Sequence, residues 1–289
     1  MAQTHQQKYI YVYSERGSNY LPVFYRLKES FQGQDVCVKT VSKKDLLDLQ
    51  KFNSDHVVAF FLPGAAQNGE YDVRLGRDGF DAIRNYVRGG GHFIGICAGA
   101  YYASSKLEWS HEHKPHKQTK TPSLRFFNGL ARGPISSITP HDDWHRMRAI
   151  HVRSDDPVLG RFKSIYWGGP EFISYDHYKN FDVLVSFNEG RLKSPCVIRK
   201  QEGAGTVTLS SIHPELTPTI LRKLTPRNHA IHGTVLKVIR ETHASDTQRS
   251  YLWSKIVSPV YDALNREQSS VPKDSRKTGL SFSPKKGIQ

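Results

Sequence analysis

The stretch Gly89–Tyr102, GGGHFIGICAGAYY, constrains the fold of this chain more than any other. A short apolar run from Phe93 to Ile96 ends at Cys97, and small residues follow at once before helix-compatible ones. That order predicts a strand, a sharp turn and a helix. A nucleophile on such a turn needs small neighbours, because the backbone there is strained and larger side chains would collide. Gly95, Ala98 and Gly99 meet that need, so Gly95 to Gly99 reads as a cysteine version of a nucleophile elbow. A thiol at the start of a helix also faces free N–H groups and the positive end of the helix dipole, which favour the thiolate. The plain alternative is a buried structural cysteine beside a glycine-rich turn, since free cysteine is among the most buried residue types.

A second stretch weighs against that alternative. Gly205 to Ile212, GTVTLSSI, reads as a strand that runs into His213-Pro214-Glu215. A catalytic cysteine needs a base for its proton and a carboxylate to orient that base. Residues two apart in an extended segment point the same way, so Glu215 can reach the imidazole of His213. The candidate catalytic residues are therefore Cys97, His213 and Glu215.

The rest of the chain supplies a setting for them. Apolar runs at Tyr9–Tyr13, Val36–Val41 and His56–Leu62 predict strands. Helical spacing at Leu21, Phe24, Leu27 and Phe31, a serine-capped segment from Lys43 to Phe52, and an amphipathic face over Asp78–Arg88 predict the helices between them. Alternating strands and helices imply an α/β, doubly wound, mostly parallel flavodoxin-like sheet with helices on both faces. In such sheets sites form beyond the carboxyl ends of strands. The turn after the third strand, Pro63-Gly64-Ala65, thus lies opposite Cys97, and the backbone N–H groups of Gly64, Ala65 and Ala98 are candidates for an oxyanion hole. An ordinary glycine turn is the other reading.

Beyond the elbow the polar stretch from Lys106 to Ser123 reads as a surface loop. Neither its His111, His113 and His116 nor the cluster His141-Asp142-Asp143-Trp144-His145 has the spacing or rigidity of a metal site. No metal and no cofactor is expected. From Met147 to Thr208 the texture is β-rich, with short strands at Arg148–Val152, Ser164–Trp167, Phe181–Phe187 and Pro195–Arg199. The glycines of Trp167-Gly168-Gly169 serve either a turn or close approach to a ligand. Helices follow at Thr217–Leu224, Ala230–Thr242 and Thr247–Leu264, the last with a kink expected at Pro259. Residues 1–265 are expected to form one domain, with its core at 8–225 and a C-terminal helical extension at 226–265. Residues 266–289 read as a disordered basic tail.

The net charge of +14 is compatible with an acidic protein partner, but no nucleic-acid-binding motif accompanies it, so no specific nucleic-acid partner is expected. Three cysteines without metal-ligand spacing argue against a disulfide framework and for a cytoplasmic location. No run has the length or apolarity of a membrane span.

The elbow GGGHFIGICAGAYYAS, Phe127-Asn128-Gly129 with Gly133-Pro134, Tyr166-Trp167-Gly168-Gly169-Pro170 and GAGTVTLSSIHPE together resemble the class I glutamine amidotransferase-like superfamily. Within it they are most similar to the domain at the N-terminus of eukaryotic biotin-protein ligases and its free-standing bacterial relatives. The resemblance covers residues 8 to 225 and implies a Cys-His-Glu triad at Cys97, His213 and Glu215. It also implies a glutamine four residues after the nucleophile in glutamine-hydrolysing members; here that position is Tyr101, which with Trp167, Gly168 and Gly169 is expected to shape the substrate pocket. A phenol cannot offer the contacts of an amide. The chain also lacks the biotinyl-adenylate loop that a biotin ligase needs. Shared domain does not mean shared activity. The expectation is a cysteine-dependent hydrolase or acyltransferase acting on a small-molecule or peptide-like acyl substrate. The alternatives are an idle fold kept as an interaction module, and a glutaminase or amidotransferase subunit.

Overall fold

The structure, a computed structural model, describes residues 7–65, 70–109, 118–139 and 147–270. The predicted β-favouring runs form β1 (Lys8–Tyr13), β2 (Val36–Val41), β3 (Val57–Leu62) and β4 (His92–Ile96), joined far later in the chain by β13 (Gly205–Ser210). They pair in parallel in the order β2-β1-β3-β4-β13. This order is that of flavodoxin-like sheets. The sheet then continues with antiparallel pairing through β12 (Pro195–Glu202), β11 (Asp182–Phe187), β8 (Arg148–Arg153) and β9 (Arg161–Tyr166). The end of β9 returns to the carboxyl end of β13: Tyr166 bridges to Ile212, and the His213 amide donates to the Ile165 carbonyl at 2.9 Å.

Side-chain alternation explains the layers. In β1, Ile10 and Val12 enter one core while Tyr11 and Tyr13 enter the other. The first core is covered by α1 (Leu21–Ser30), through Val23 and Leu27, and by α7 (Asp246–Ser270), through Leu252, Trp253 and Ile256. The second is covered by α3 (Tyr71–Arg88), through Leu75, Phe80 and Ile83. Every residue of β3 is buried, as expected for a strand covered on both faces. Each large apolar side chain buried in this way contributes about 1.5–3 kcal/mol of transfer free energy.

Several expectations require correction. The polar stretch from Lys106 is not a loop where it is described: β5 (Ser104–Trp109) and β6 (Gln118–Lys120) lie in it. With β7 (Phe127–Gly133) and β10 (Glu171–Ser174) they form a second sheet, ordered β10-β7-β5-β6. Leu107, Phe127, Ala131 and Phe172 bury its inner face against the α3 side of the main sheet. The segment expected to be helical from Lys43 to Phe52 is helical only as α2 (Lys43–Leu46), although its Ser42 cap is present, the Ser42 amide donating to the Asp45 carboxylate at 2.8 Å. The third helix begins earlier than Asp78, because Gly76, at φ 60°, lets two helical pieces join across a kink.

At the C-terminal end, α5 (Pro218–Leu224) is capped by the Thr217 hydroxyl, and α6 (His232–Thr242) packs with it against Ile165. Helix α7 runs through Pro259 and on past residue 265, into the stretch expected to be tail. Proline leaves the carbonyl four residues earlier without its helical donor. Arg199 of β12 and Ser258 take its place: Arg199 Nη2 donates to the Lys255 and Ile256 carbonyls at 2.6 and 2.9 Å, and the Ser258 hydroxyl to the Lys255 carbonyl at 2.9 Å. The histidines at 111–116, the cluster at 141–145 and the tail beyond 270 lie outside the described residues. Among the described residues, no helix is long and apolar enough to cross a membrane, and no cluster of potential ligands could hold a metal ion.

Candidate active site

The elbow forms where the sequence places it. Cys97 follows β4, has φ 51° and is the residue before α4 (Ala98–Tyr102). A left-handed backbone at a non-glycine residue is strained, and such strain concentrates at functional sites. Its small neighbours are required sterically. A Cβ on Gly99 would lie 1.9 Å from the Leu62 carbonyl oxygen, and one on Gly95 would lie 2.9 Å from the carbonyl of Gly99. The Cys97 amide donates to the Ser210 carbonyl at 2.8 Å, which ties the elbow to the adjacent strand β13.

That strand delivers the imidazole. His213 and Glu215, each 3% exposed, follow β13, and His213 Nδ1 meets Glu215 Oε1 at 2.7 Å. Gly64 shows that the thiol and the ring converge: a Cβ built on it would lie 3.6 Å from both Cys97 Cβ and His213 Cε1, and 4.0 Å from Cys97 Sγ. Three neighbouring strands, β3, β4 and β13, thus end at one point. The Cys97 thiol points to the Trp167 carbonyl at 3.5 Å. His213 Nε2 is buried and finds no hydrogen-bond partner among the described residues.

Burial by itself would disfavour a charged imidazole. The Glu215 carboxylate and the Cys97 sulfur outweigh it and push the His213 pKa up to about 10. Both neighbours favour the protonated ring, so the pocket suits an imidazole that takes up a proton beside the sulfur.

The remaining predicted residues fall around this point. Ala98 opens α4, and Ala65 bridges to Ser18 just beyond β3. Tyr101 is 3% exposed; its hydroxyl donates to the Gly168 carbonyl at 3.1 Å, and its ring meets Trp109 edge to face. Trp167 is half-buried, with its ring centroid 6.2 Å from that of His213. Gly168 has φ 73° and sits under the Trp109 ring. Gly169 is closed against the chain, since a Cβ there would lie 2.0 Å from the Ser211 carbonyl oxygen.

Two tyrosines support the site: Tyr71 had no signal in the sequence, and Tyr166, although it opens the Tyr166-Trp167-Gly168-Gly169-Pro170 stretch, had none for its own role. Tyr71 donates to the Pro63 and Gly64 carbonyls, at 3.0 and 3.1 Å, and so fixes the turn that faces Cys97. Tyr166 accepts from the Ile135 amide and donates to the Gly169 carbonyl, both at 2.8 Å. Either role depends on partners that only the folded chain brings near.

An α/β sheet with a cysteine elbow and a histidine-carboxylate pair at the ends of adjacent strands defines a glutamine amidotransferase-like fold. The solved structure of a glutamine amidotransferase from Thermotoga maritima has the same fold, with a TM-score of 0.55 over 89% of this chain and 99% of that one, at 10% identity. Within that class the chain belongs to the biotin-protein ligase N-terminal family, whose model matches residues 9–278. The biotin–protein ligase of Schizosaccharomyces pombe is 28% identical over 159 residues, which are 54% of this chain and 25% of the ligase. An uncharacterized protein of Chlamydia muridarum is 29% identical over 158 residues, 54% of this chain and 60% of that protein. The chain thus matches only part of each relative's length.

Proposed function

We propose that the protein is a cysteine-dependent hydrolase or acyltransferase acting on an amide or related acyl group. The observation that carries this reading is the convergence of Cys97 and the Glu215-paired His213 at Gly64. The step requires the Cys97 side chain to turn from the Trp167 carbonyl towards Nε2 of a neutral His213, which accepts the thiol proton and becomes the imidazolium. The thiolate attacks the acyl carbon and a C–S bond forms. The carbonyl electrons move to the oxygen, held by backbone N–H groups at Gly64, Ala65 and Ala98. As the tetrahedral intermediate collapses, the His213 imidazolium gives its proton to the leaving amine or alcohol, and the bond to that group breaks. Water, or an acceptor nucleophile, then gives its proton to His213 and attacks the thioester, which releases the acyl product and the sulfur. Glu215 holds the ring in orientation throughout.

Tyr101 argues against free glutamine as the substrate. It occupies the position expected to hold a glutamine, and its hydroxyl is committed to the Gly168 carbonyl. Ligation of biotin belongs to the named relative and is not proposed here. A panel of p-nitrophenyl esters and anilides bearing small acyl and dipeptide groups tests the reading. Turnover that vanishes in Cys97→Ala is expected, with an acyl adduct on Cys97 in the intact protein. No turnover and no adduct with any member of the panel, or equal turnover in Cys97→Ala, would overturn it.

A further inference from the structure

Arg249 lies in the first turn of α7, far in sequence from the elbow, and only 3% of its side chain is exposed. A buried arginine is costly unless its donors are used. Nη1 donates to Asp246 Oδ1 at 2.8 Å and to Thr242 Oγ1 at 3.1 Å, and Nη2 donates to the Leu216 carbonyl. Leu216 is the residue after Glu215. Among the described residues, Arg249 Nε and Glu215 Oε2 are both buried without a hydrogen-bond partner, and the two side chains attract each other electrostatically. The guanidinium thus grips the backbone directly after the His213-Pro214-Glu215 turn and supplies a buried positive charge that attracts the Glu215 carboxylate.

The base of the grip is itself anchored. Asp246 also takes His243 Nδ1 at 3.3 Å, and Ser245 Oγ accepts the Lys163 amide of β9 at 2.9 Å. Among the charges that act most strongly on Arg249, Asp246 and Glu215 attract it, and Arg26 of α1 repels it. The charged and titratable groups that act most strongly on His213 are Glu215 and Cys97.

We infer that Arg249 is a positioning residue for the site, holding Glu215 as the charged partner that orients His213 beside Cys97. This rests on the proposed cysteine chemistry. It gives the C-terminal helices a part in the site that no short motif announces.

The test is the rate of Cys97 alkylation by iodoacetamide from pH 6 to 9, read by peptide mass spectrometry, with thermal unfolding measured on the same samples. Arg249→Met is expected to slow labelling at pH 7 by about tenfold, the effect of about one pKa unit, and to shift the pH profile. Arg249→Lys keeps a charge near Glu215 and is expected to recover part of the rate. A lower melting temperature in Arg249→Met with rate and profile unchanged would overturn the inference, because a purely structural role moves only stability. If Arg249→Met does not fold, Arg249→Lys and Thr242→Val carry the test: a slowed, shifted profile supports the inference, and a wild-type profile in both overturns it. Wild-type Cys97 that resists labelling would instead defeat the cysteine chemistry itself, so the two failures are distinguishable.

Discussion

Replacing Gly99 by alanine tests the geometry of the elbow directly. The added Cβ would lie 1.9 Å from the Leu62 carbonyl oxygen and 2.8 Å from its carbon. Carbon–oxygen contacts sit at about 3.3 Å or beyond, so α4 and the end of β3 must separate by roughly 1.4 Å. Overpacking a core costs about 1–3 kcal/mol. The obstructing atoms here are backbone, which cannot rotate aside, so the upper end applies. About 3 kcal/mol corresponds to a fall in Tm of roughly 6–12 °C for a chain of this size. Cys97 moves with α4, and a displacement of about 1 Å can cost on the order of a hundredfold in rate. Gly233→Ala is the control. It lies in α6 with nothing within 4 Å of its Cβ, and alanine is favoured over glycine in helices by up to about 1 kcal/mol. Thermal unfolding and Cys97 alkylation would be read on both variants. A Gly99→Ala protein with wild-type Tm and wild-type labelling would refute the argument.

Other perturbations have equally definite signs. His213 has its pKa raised from 6.5 to about 10, so its stabilising contribution is complete below pH 6.5 and is lost as pH rises through about 10. Tm should therefore fall across that alkaline range, and less steeply in Glu215→Gln. His92, whose Nδ1 meets Thr206 Oγ1 at 2.9 Å, is pushed down to about 4 by burial and by Arg266 and Arg199. It stays neutral in the fold while the unfolded chain takes up a proton, so about 3 kcal/mol is lost as pH falls from 6.5 towards 4; His92→Gln should flatten that acid limb. Arg199→Met removes a charged donor from the Lys255 and Ile256 carbonyls, although Lys255 keeps the Ser258 hydroxyl at 2.9 Å, and should lower stability by about 1.5–3 kcal/mol, the range for a hydrogen bond to a charged group, seen as an earlier urea midpoint.

The elbow and the His213-Pro214-Glu215 turn were legible because their signals are local. Small residues flank the thiol, and two-residue spacing sets the imidazole beside the carboxylate. The strands of the parallel half were legible for a similar reason, since β3 is apolar throughout. The second sheet was not. β5 reads SSKLEW, too polar to announce a strand, and it is fixed by pairing with β7 in parallel and β6 in antiparallel register. Such pairing is a tertiary outcome that overrides local preference. The end of α2 at Leu46 was likewise hidden, because the following turn is held by Asn53, whose amide donates to the Leu49 and Gln50 carbonyls. Tyr71 and Arg249 belong to the same class. Each acts on the site through backbone carbonyls chosen by the fold, and no spacing rule points to them.

The proposed chemistry depends on the pairing of one sulfur with one imidazole, and the rate of Cys97 alkylation in His213→Ala against wild type measures that pairing most directly. Labelling mapped peptide by peptide separates Cys97 from the half-buried Cys37 and the buried Cys196. Loss of the imidazolium is predicted to slow alkylation of Cys97 at pH 7 by tenfold or more, the consequence of losing about 1.4 kcal/mol or more of charge stabilisation, while labelling of Cys37 stays unchanged. Equal rates at Cys97 in the two proteins would contradict it.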